Sequence, residues 1–191
     1  NIPAFIQKVK EDNLEEAYKI LCDTTVMPAI CGRVCPHQKQ CQGKCIRGIK
    51  SEPVSIGEIE AYVGDWALNN QNCHRNTQEK DTKVAVIGGG PSGLTAAAFL
   101  RKHGYQVTIY EKQKDLGGIL KRGIPEFRLS NESVEKTIEQ ILALGIEVQC
   151  EKELGKNLEL ADLEKEYDAI YLAIGANIPS KMGIDGEELE G

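Results

Sequence analysis

An α/β fold with a parallel sheet, preceded by a small all-helical region, is predicted by three features of the 191-residue sequence. From Lys83 the pattern runs strand, glycine turn, helix, strand: an apolar run Val84–Ile87, an apolar-faced stretch through Leu94 to Leu100, then Gln106–Tyr110. Residues 1–72 instead read as short helices around a cysteine loop. Between the two, Asn69 to Thr82 is polar and rich in Asn and Gln, which marks a linker. The expected organisation is a helical domain over 1–72, a linker over 73–82 and an α/β domain over 83–191.

The helices announce themselves by their starts. Asn13 followed by Glu16 forms a capping-box pattern, and Leu14, Ala17, Tyr18 and Leu21 then recur at helical spacing. Ser55 with Glu58, after Pro53, starts a second helix with Ile56, Ile59, Val63 and Trp66 on one face. Beyond the strand–helix–strand unit come a helix over Glu132–Leu144 ended by Gly145, a strand Ile146–Cys150, and a buried strand Ala169–Ile174 ended by Gly175.

Composition removes several function classes. The net charge is −6, and the one local basic excess, Lys39 to Lys50, is interleaved with cysteines and glycines and reads as a loop, so a nucleic-acid binder is not expected. No apolar run is long enough to span a bilayer, and the first residues lack the charged and apolar regions of a secretory signal. A cytoplasmic protein is expected. Its seven cysteines, four of them between Cys31 and Cys45, then point to metal rather than to disulfides.

Gly88-Gly89-Gly90-Pro91-Ser92-Gly93 follows the first α/β strand and opens the helix, and Glu111 ends the next strand. This is the dinucleotide fingerprint of a Rossmann-type unit. Gly88 permits the tight turn, Gly90 lets the main chain approach a pyrophosphate, and Gly93 lets helix and strand pack closely. The helix N-terminus supplies free N–H groups, and the acid accepts from a ribose hydroxyl. Glu111 would repel a 2′-phosphate, which disfavours NADP here and leaves NAD and FAD open.

The cysteines run Cys31-x3-Cys35-x5-Cys41-x3-Cys45. Soft ligands so close suit zinc or an iron–sulfur cluster, and by spacing alone the four would close one tetrahedral site. On the following helix Glu60 borders the stripe of Ile56, Val63 and Ala67, whereas Glu58 and Asp65 face away. An acid at the edge of an apolar face wants a partner. Cys22 and Cys150 are expected in the core, Cys73 in the linker, and His37 exposed.

Together with Tyr110-Glu111-Lys112, the second diglycine in Leu116-Gly117-Gly118-Ile119-Leu120 resembles the two-dinucleotide flavoprotein superfamily. Ile124-Pro125-Glu126-Phe127-Arg128-Leu129 narrows the resemblance to the small subunit of glutamate synthase and the amino-terminal part of dihydropyrimidine dehydrogenase. The resemblance implies FAD as the cofactor, with Gly118 and Ile119 near its phosphates, Arg128 a flavin contact, Leu154 a main-chain contact to the adenine, and Gly175 at the strand end beside the flavin. It also implies that the cysteine loop serves two [4Fe–4S] clusters. The positions matching Cys35 and Cys41 ligate one cluster, Cys45 matches a ligand of the other, Cys31 matches a non-ligand, and Glu60 matches a non-cysteine ligand, Glu or Gln, from the helix after the loop. The family carries four further cysteines upstream of the position matching Asn1, so the ligand sets are incomplete in this chain.

In such a protein NAD(P)H reduces FAD, the flavin passes electrons singly to the clusters, and these feed the large glutamate synthase subunit or another electron-accepting subunit or domain. Related flavoproteins exchange electrons with ferredoxin or a pyrimidine-reducing domain. A reading of another class is a non-catalytic FAD- and metal-binding module. The family's NAD(P)H domain has no counterpart here, so a portion of a larger oxidoreductase is expected. No catalytic acid–base pair or nucleophile is expected in it. The isolated 191-residue chain is therefore expected not to oxidise NAD(P)H, and a steady decrease in absorbance at the nicotinamide band on mixing the two would refute this.

Overall fold

A computed structural model describes residues 1–70, 78–176 and 180–189. Cys73 and the first half of the expected linker, residues 73–77, lie outside the described residues. The amino-terminal region contains α1 (Ile2–Lys10), α2 (Leu14–Cys22), α3 (Pro28–Val34) and α4 (Ile56–Asn70). Three short 3₁₀ turns, His37–Lys39, Gln42–Lys44 and Ile46–Ile49, carry the cysteine loop between α3 and α4.

The start of α2 is the one expected: the Asn13 side chain accepts from the Glu16 amide at 3.1 Å, satisfying one of the N–H groups that a helix start leaves free. Pro28 opens α3, where its missing N–H costs nothing. The apolar faces of α1, α2 and α4 meet in one core of Phe5, Ala17, Tyr18, Leu21, Ile56, Val63 and Ala67. In α4 the buried positions also include Gly57, Ala61 and Gly64, because α3 packs closely along them. A Cβ on Gly64 would stand 2.2 Å from the Ala29 amide nitrogen, so only glycine allows this approach. Asp65, expected to face away, instead accepts two hydrogen bonds from the Arg33 guanidinium, at 2.8 and 2.6 Å, and clasps α4 to α3.

The second region is a four-stranded sheet of order β3-β2-β1-β4, with every pair parallel. Its elements are β1 (Lys83–Ile87), α5 (Pro91–Lys102), β2 (Gln106–Tyr110), α6 (Ile119–Arg122), α7 (Asn131–Leu142), β3 (Glu147–Gln149), α8 (Leu160–Glu166) and β4 (Ala169–Leu172). β1 is central, and Val84 to Ile87 are buried on both faces, as the unbroken apolar run requires. The expected burial of β4 is corrected: it is an edge strand, and Leu172 is 57% exposed. A continuous apolar run cannot distinguish a central strand from an uncovered edge.

The two regions share a core. Val26, Met27 and Ile30, at and just before the start of α3, are buried in the same cluster as Val86, Leu94, Ile109, Val134 and Ile141 of the α/β region. Gln140 donates to the Ala67 carbonyl at 3.4 Å, and Lys136 to Asn69 at 3.1 Å, tying α7 to the end of α4. Residues just before β1 are also fastened. Arg101, 4% exposed, donates to the carbonyls of Leu144 and Tyr105 and pairs with Glu79 at 2.6 Å.

Ile30→Ala removes a side chain that sits between the two regions and is expected to cost about 2–5 kcal/mol. Thermal unfolding followed separately through the helical and sheet regions should fall together by the same shift. Loss of helix alone, with the sheet transition unmoved, would contradict a shared core.

Candidate functional site

In a parallel sheet of this order, a ligand crevice opens beyond the carboxyl ends of the strands, where the chain turns from one side of β1 to the other. A cavity of about 860 Å³ lies there. It is lined by Gly88, Gly90, Pro91, Ser92, Glu111, Gly118, Ile119, Leu154 and Gly175. These are all of the sequence-selected cofactor positions except Gly93 and Arg128.

Each glycine of the turn has a separate geometric reason. Gly88 has φ +108°, which side chains rarely adopt, and a Cβ there would meet the Ala173 carbonyl at 2.3 Å. Gly93 faces inward: its Cβ would stand 1.9 Å from the Gly88 carbonyl, so it holds α5 against β1 rather than lining the cavity. Gly90 is different. A Cβ there would have no neighbour nearer than the Gly118 Cα at 4.0 Å, so the space above it is open. Gly90 caps α5 without a side-chain bond, and the free N–H groups of the first turn are left to bind an anion.

Glu111 is 6% exposed at the end of β2, and its carboxylate accepts from the amides of Gly89 at 2.7 Å and Gln113 at 2.9 Å. The acid is fixed before any ligand arrives, with lone pairs remaining for hydroxyl donors. Gly117 donates to the Gly89 carbonyl at 2.8 Å, which seats the second diglycine against the first. The Ser92 hydroxyl on α5 lies 3.1 Å from the Tyr171 hydroxyl on β4.

Arg128 is exposed and does not line this cavity, whereas Arg122, one turn after Gly118 on α6, does line it and pairs with Asp115. The segment after Pro125 turns so that Arg128 and Leu129 bond back to the Pro125 carbonyl, which puts Leu129 in the core and Arg128 outside. Sequence reasoning missed Arg122, Gln113 and Lys152 on the wall. The position of Arg122 beside the second diglycine was the signal that could have found it.

The cysteine loop forms a second candidate centre. His37, expected to be exposed, is 8% exposed. Its Nε2 lies 3.2 Å from the Gly32 carbonyl and its Nδ1 3.5 Å from the Cys41 sulfur, with the ring against Gly57 of α4. The Cys35 thiol donates to Gln40 at 3.4 Å, and Cys31 lies 3.6 Å from the Thr25 hydroxyl. Burial raises the Cys31 and Cys35 thiols above the ordinary range, and Glu60 nearby adds to both. Burial also raises the Glu60 carboxyl, partly opposed by His37.

Main-chain hydrogen bonds from Val54 and Arg47 hold the Cys45 thiol below its ordinary range. The single tetrahedral site suggested by spacing is not formed. Among the described residues no three His, Cys, Asp or Glu side chains are arranged to hold a metal ion. A cubane cluster spreads its ligands around a larger body, and the donor chemistry of two thiols and a desolvated acid suits it. Cys22 and Cys150, expected in the core, are half-buried, and neither forms a disulfide among the described residues.

Residues 1–72 match the family described as dihydropyrimidine dehydrogenase domain II, 4Fe-4S cluster, and residues 86–129 match the NAD(P)-binding Rossmann-like domain. Over its full length the chain is 32% identical to the glutamate synthase [NADPH] small chain of Escherichia coli, covering 41% of that protein. It is 35% identical to the E. coli putative oxidoreductase AegA, covering 29% of it, with all of this chain aligned. Against the NAD-dependent dihydropyrimidine dehydrogenase subunit PreT of Salmonella typhimurium it is 35% identical over 93% of this chain and 43% of that one. The chain thus spans less than half the length of these relatives. Among solved structures, FprA from Mycobacterium tuberculosis in complex with NADPH overlays with a TM-score of 0.52 at 24% identity, covering 58% of this chain and 26% of that one. That likeness concerns the fold alone. The sequence resemblance to glutamate synthase small chains and to a dihydropyrimidine dehydrogenase subunit is therefore found along essentially the whole chain.

A pH test follows from Glu60. Its folded pKa is raised above the unfolded value, so the folded chain is favoured while the carboxyl is protonated and loses stability as pH rises through the folded pKa. Glu60→Gln removes that loss. Without metal, the variant should melt above the parent at pH 7 and level with it at pH 4; equal melting temperatures at both would disprove the desolvation of Glu60.

Proposed function

We propose that this chain is the cofactor-holding portion of an electron-input flavoprotein, binding FAD in the glycine-turn cavity and contributing ligands to [4Fe–4S] clusters through the cysteine loop. The observation that carries the reading is the one cavity in which Gly88, Gly90, Glu111, Gly118, Leu154 and Gly175 converge. Its lining runs from Leu154 past the start of α5 to Gly175, and its volume lies in the range of cofactor sites.

The chain's own residues have distinct duties. Glu111 would accept from the ribose hydroxyls, and the α5 N-terminus and the open face of Gly90 would take the pyrophosphate. Ile119 and Leu154 bring apolar contacts, and Gly175 leaves room at the far end. Lys112, Arg122 and Lys152 on the wall add positive charge around a negatively charged cofactor. Bound FAD supplies the exchange between two-electron and one-electron carriers, a chemistry the side chains lack. In the cysteine loop Cys35, Cys41 and Glu60 would serve one cluster and Cys45 another, with α3 and α4 holding them at a fixed distance from the cavity.

The large glutamate synthase subunit, or another electron-accepting subunit or domain, is the proposed destination of the electrons, and NAD(P)H their proposed source in the full-length protein. A nicotinamide dinucleotide in this same cavity is the competing occupant, since the Rossmann-like match is to NAD(P)-binding domains. The carboxylate of Glu111 argues against NADP, and the seating of Gly117 on Gly89 supports FAD.

Titration of the chain with FAD, followed by quenching of flavin fluorescence, tests the reading, with NAD⁺ as competitor. Saturable binding that NAD⁺ does not displace supports it; no binding of FAD ends it. Gly90→Ala adds a methyl to open space, so the fold should keep its melting temperature while FAD affinity falls at least about tenfold, the scale of one lost charge-assisted hydrogen bond. Gly93→Ala should instead unfold the turn, and a Gly90→Ala variant that binds FAD normally would remove the pyrophosphate from this position.

A further inference from the structure

We propose that Asn157 is a positioning residue for the adenosine end of the cavity, acting as a clamp that holds the segment 151–158 in the shape that builds the Leu154 wall. Its amide group bonds twice to the main chain of the same loop: Nδ2 donates to the Glu151 carbonyl at 2.8 Å, and the Glu153 amide donates to Oδ1 at 2.8 Å. A side-chain amide here replaces the neighbouring strand that would otherwise satisfy those groups. The Gly155 amide bonds to the Leu158 carbonyl at 2.9 Å, and Leu154 bridges to Leu158, closing the loop on itself.

The clamp holds a conformation that the sequence does not favour. Glu151 has φ 58°, in the left-handed region where a residue with a Cβ is disfavoured and glycine is at ease. That turn is what lets Glu151 and Lys152 bond to the Gln113 and Glu111 carbonyls, at 3.0 and 2.9 Å. Gln113 in turn donates to the Glu111 carboxylate. Asn157 is thereby linked, through Glu151 and Gln113, to the carboxylate proposed for the ribose, and through Glu153 to the Leu154 wall. Asn157 itself does not line the large cavity, so it acts on that site only through these groups.

The role in FAD binding rests on the proposed function, but the role in ordering the loop does not, and the test separates them. Hydrogen exchange on the 191-residue chain reads the amides of 151–158, and flavin fluorescence reads FAD affinity. In Asn157→Ala, exchange in 151–158 should accelerate and the FAD Kd should rise, each roughly tenfold for two lost hydrogen bonds, with β1 and β2 protected as before. Asn157→Asp, which keeps the acceptor for Glu153, should lie nearer the parent. Adding Glu151→Gly to Asn157→Ala relieves the left-handed strain and should restore loop protection and FAD affinity together, whereas it should not rescue Gly90→Ala. An Asn157→Ala chain with parental exchange in 151–158 overturns the clamp. Faster exchange with an unchanged FAD Kd overturns its role in the site. A parent chain that fails to bind FAD sinks the cofactor reading, and leaves the exchange pattern to decide the clamp.

Discussion

The burial of α3 between two layers is the constraint on which the rest of the structure depends. Pro28 starts the helix, Val26, Met27 and Ile30 enter the core of the α/β region, and Ala29 lies against Gly64 of α4 on the opposite side. A helix of seven residues has little stability of its own, so its position is set by tertiary packing. The cysteine loop begins at its last turn, and the glycine turn lies at the end of the strand whose Val86 shares its core. Both candidate centres therefore hang from the same short helix.

At the cavity the main chain does most of the selecting. Gly88 and Gly93 are dictated by contacts within the protein, while Gly90 is dictated by nothing inside it. A small residue beside open space, at an uncapped helix start, is economical only if something else occupies that space. Glu111 is organised in the same spirit, with two amides fixing its carboxylate in a buried position. The side chains on the wall then add charge, from Lys112, Arg122 and Lys152, and apolar surface, from Ile119 and Leu154.

Much of this was legible in the sequence because it depends on local rules. The fingerprint needs only strand, glycines, helix and acid in order, and Asn13 and Glu16 mark α2 by chemistry confined to one turn. What was not legible depends on neighbours distant in sequence. Nothing near His37 announces that Gly57 leaves a hollow for its ring, so an ordinary loop histidine was the natural expectation. Arg128 lies in the segment that carried the family resemblance, but the turn at Pro125 sends it outward and leaves the wall to Arg122. Helical periodicity places Asp65 away from the apolar stripe but cannot see its partner, Arg33, on another helix. The exposure of β4 was invisible for the same reason: an apolar run specifies a strand and not what lies on either side of it.

The shared core also bears on how such a chain can change. Regions joined only by a tether can be exchanged between proteins by cutting the tether, since each keeps its own interior. Here a cut at the polar stretch would separate Ile30 from Leu94 and Ile109, and each half would expose apolar surface made for the other. The helical part and the sheet part must therefore travel and diverge together, so that a substitution in one is screened by its fit to the other. The gap between the cysteine loop and the glycine turn is, on this architecture, an inherited constant and not an adjustable hinge.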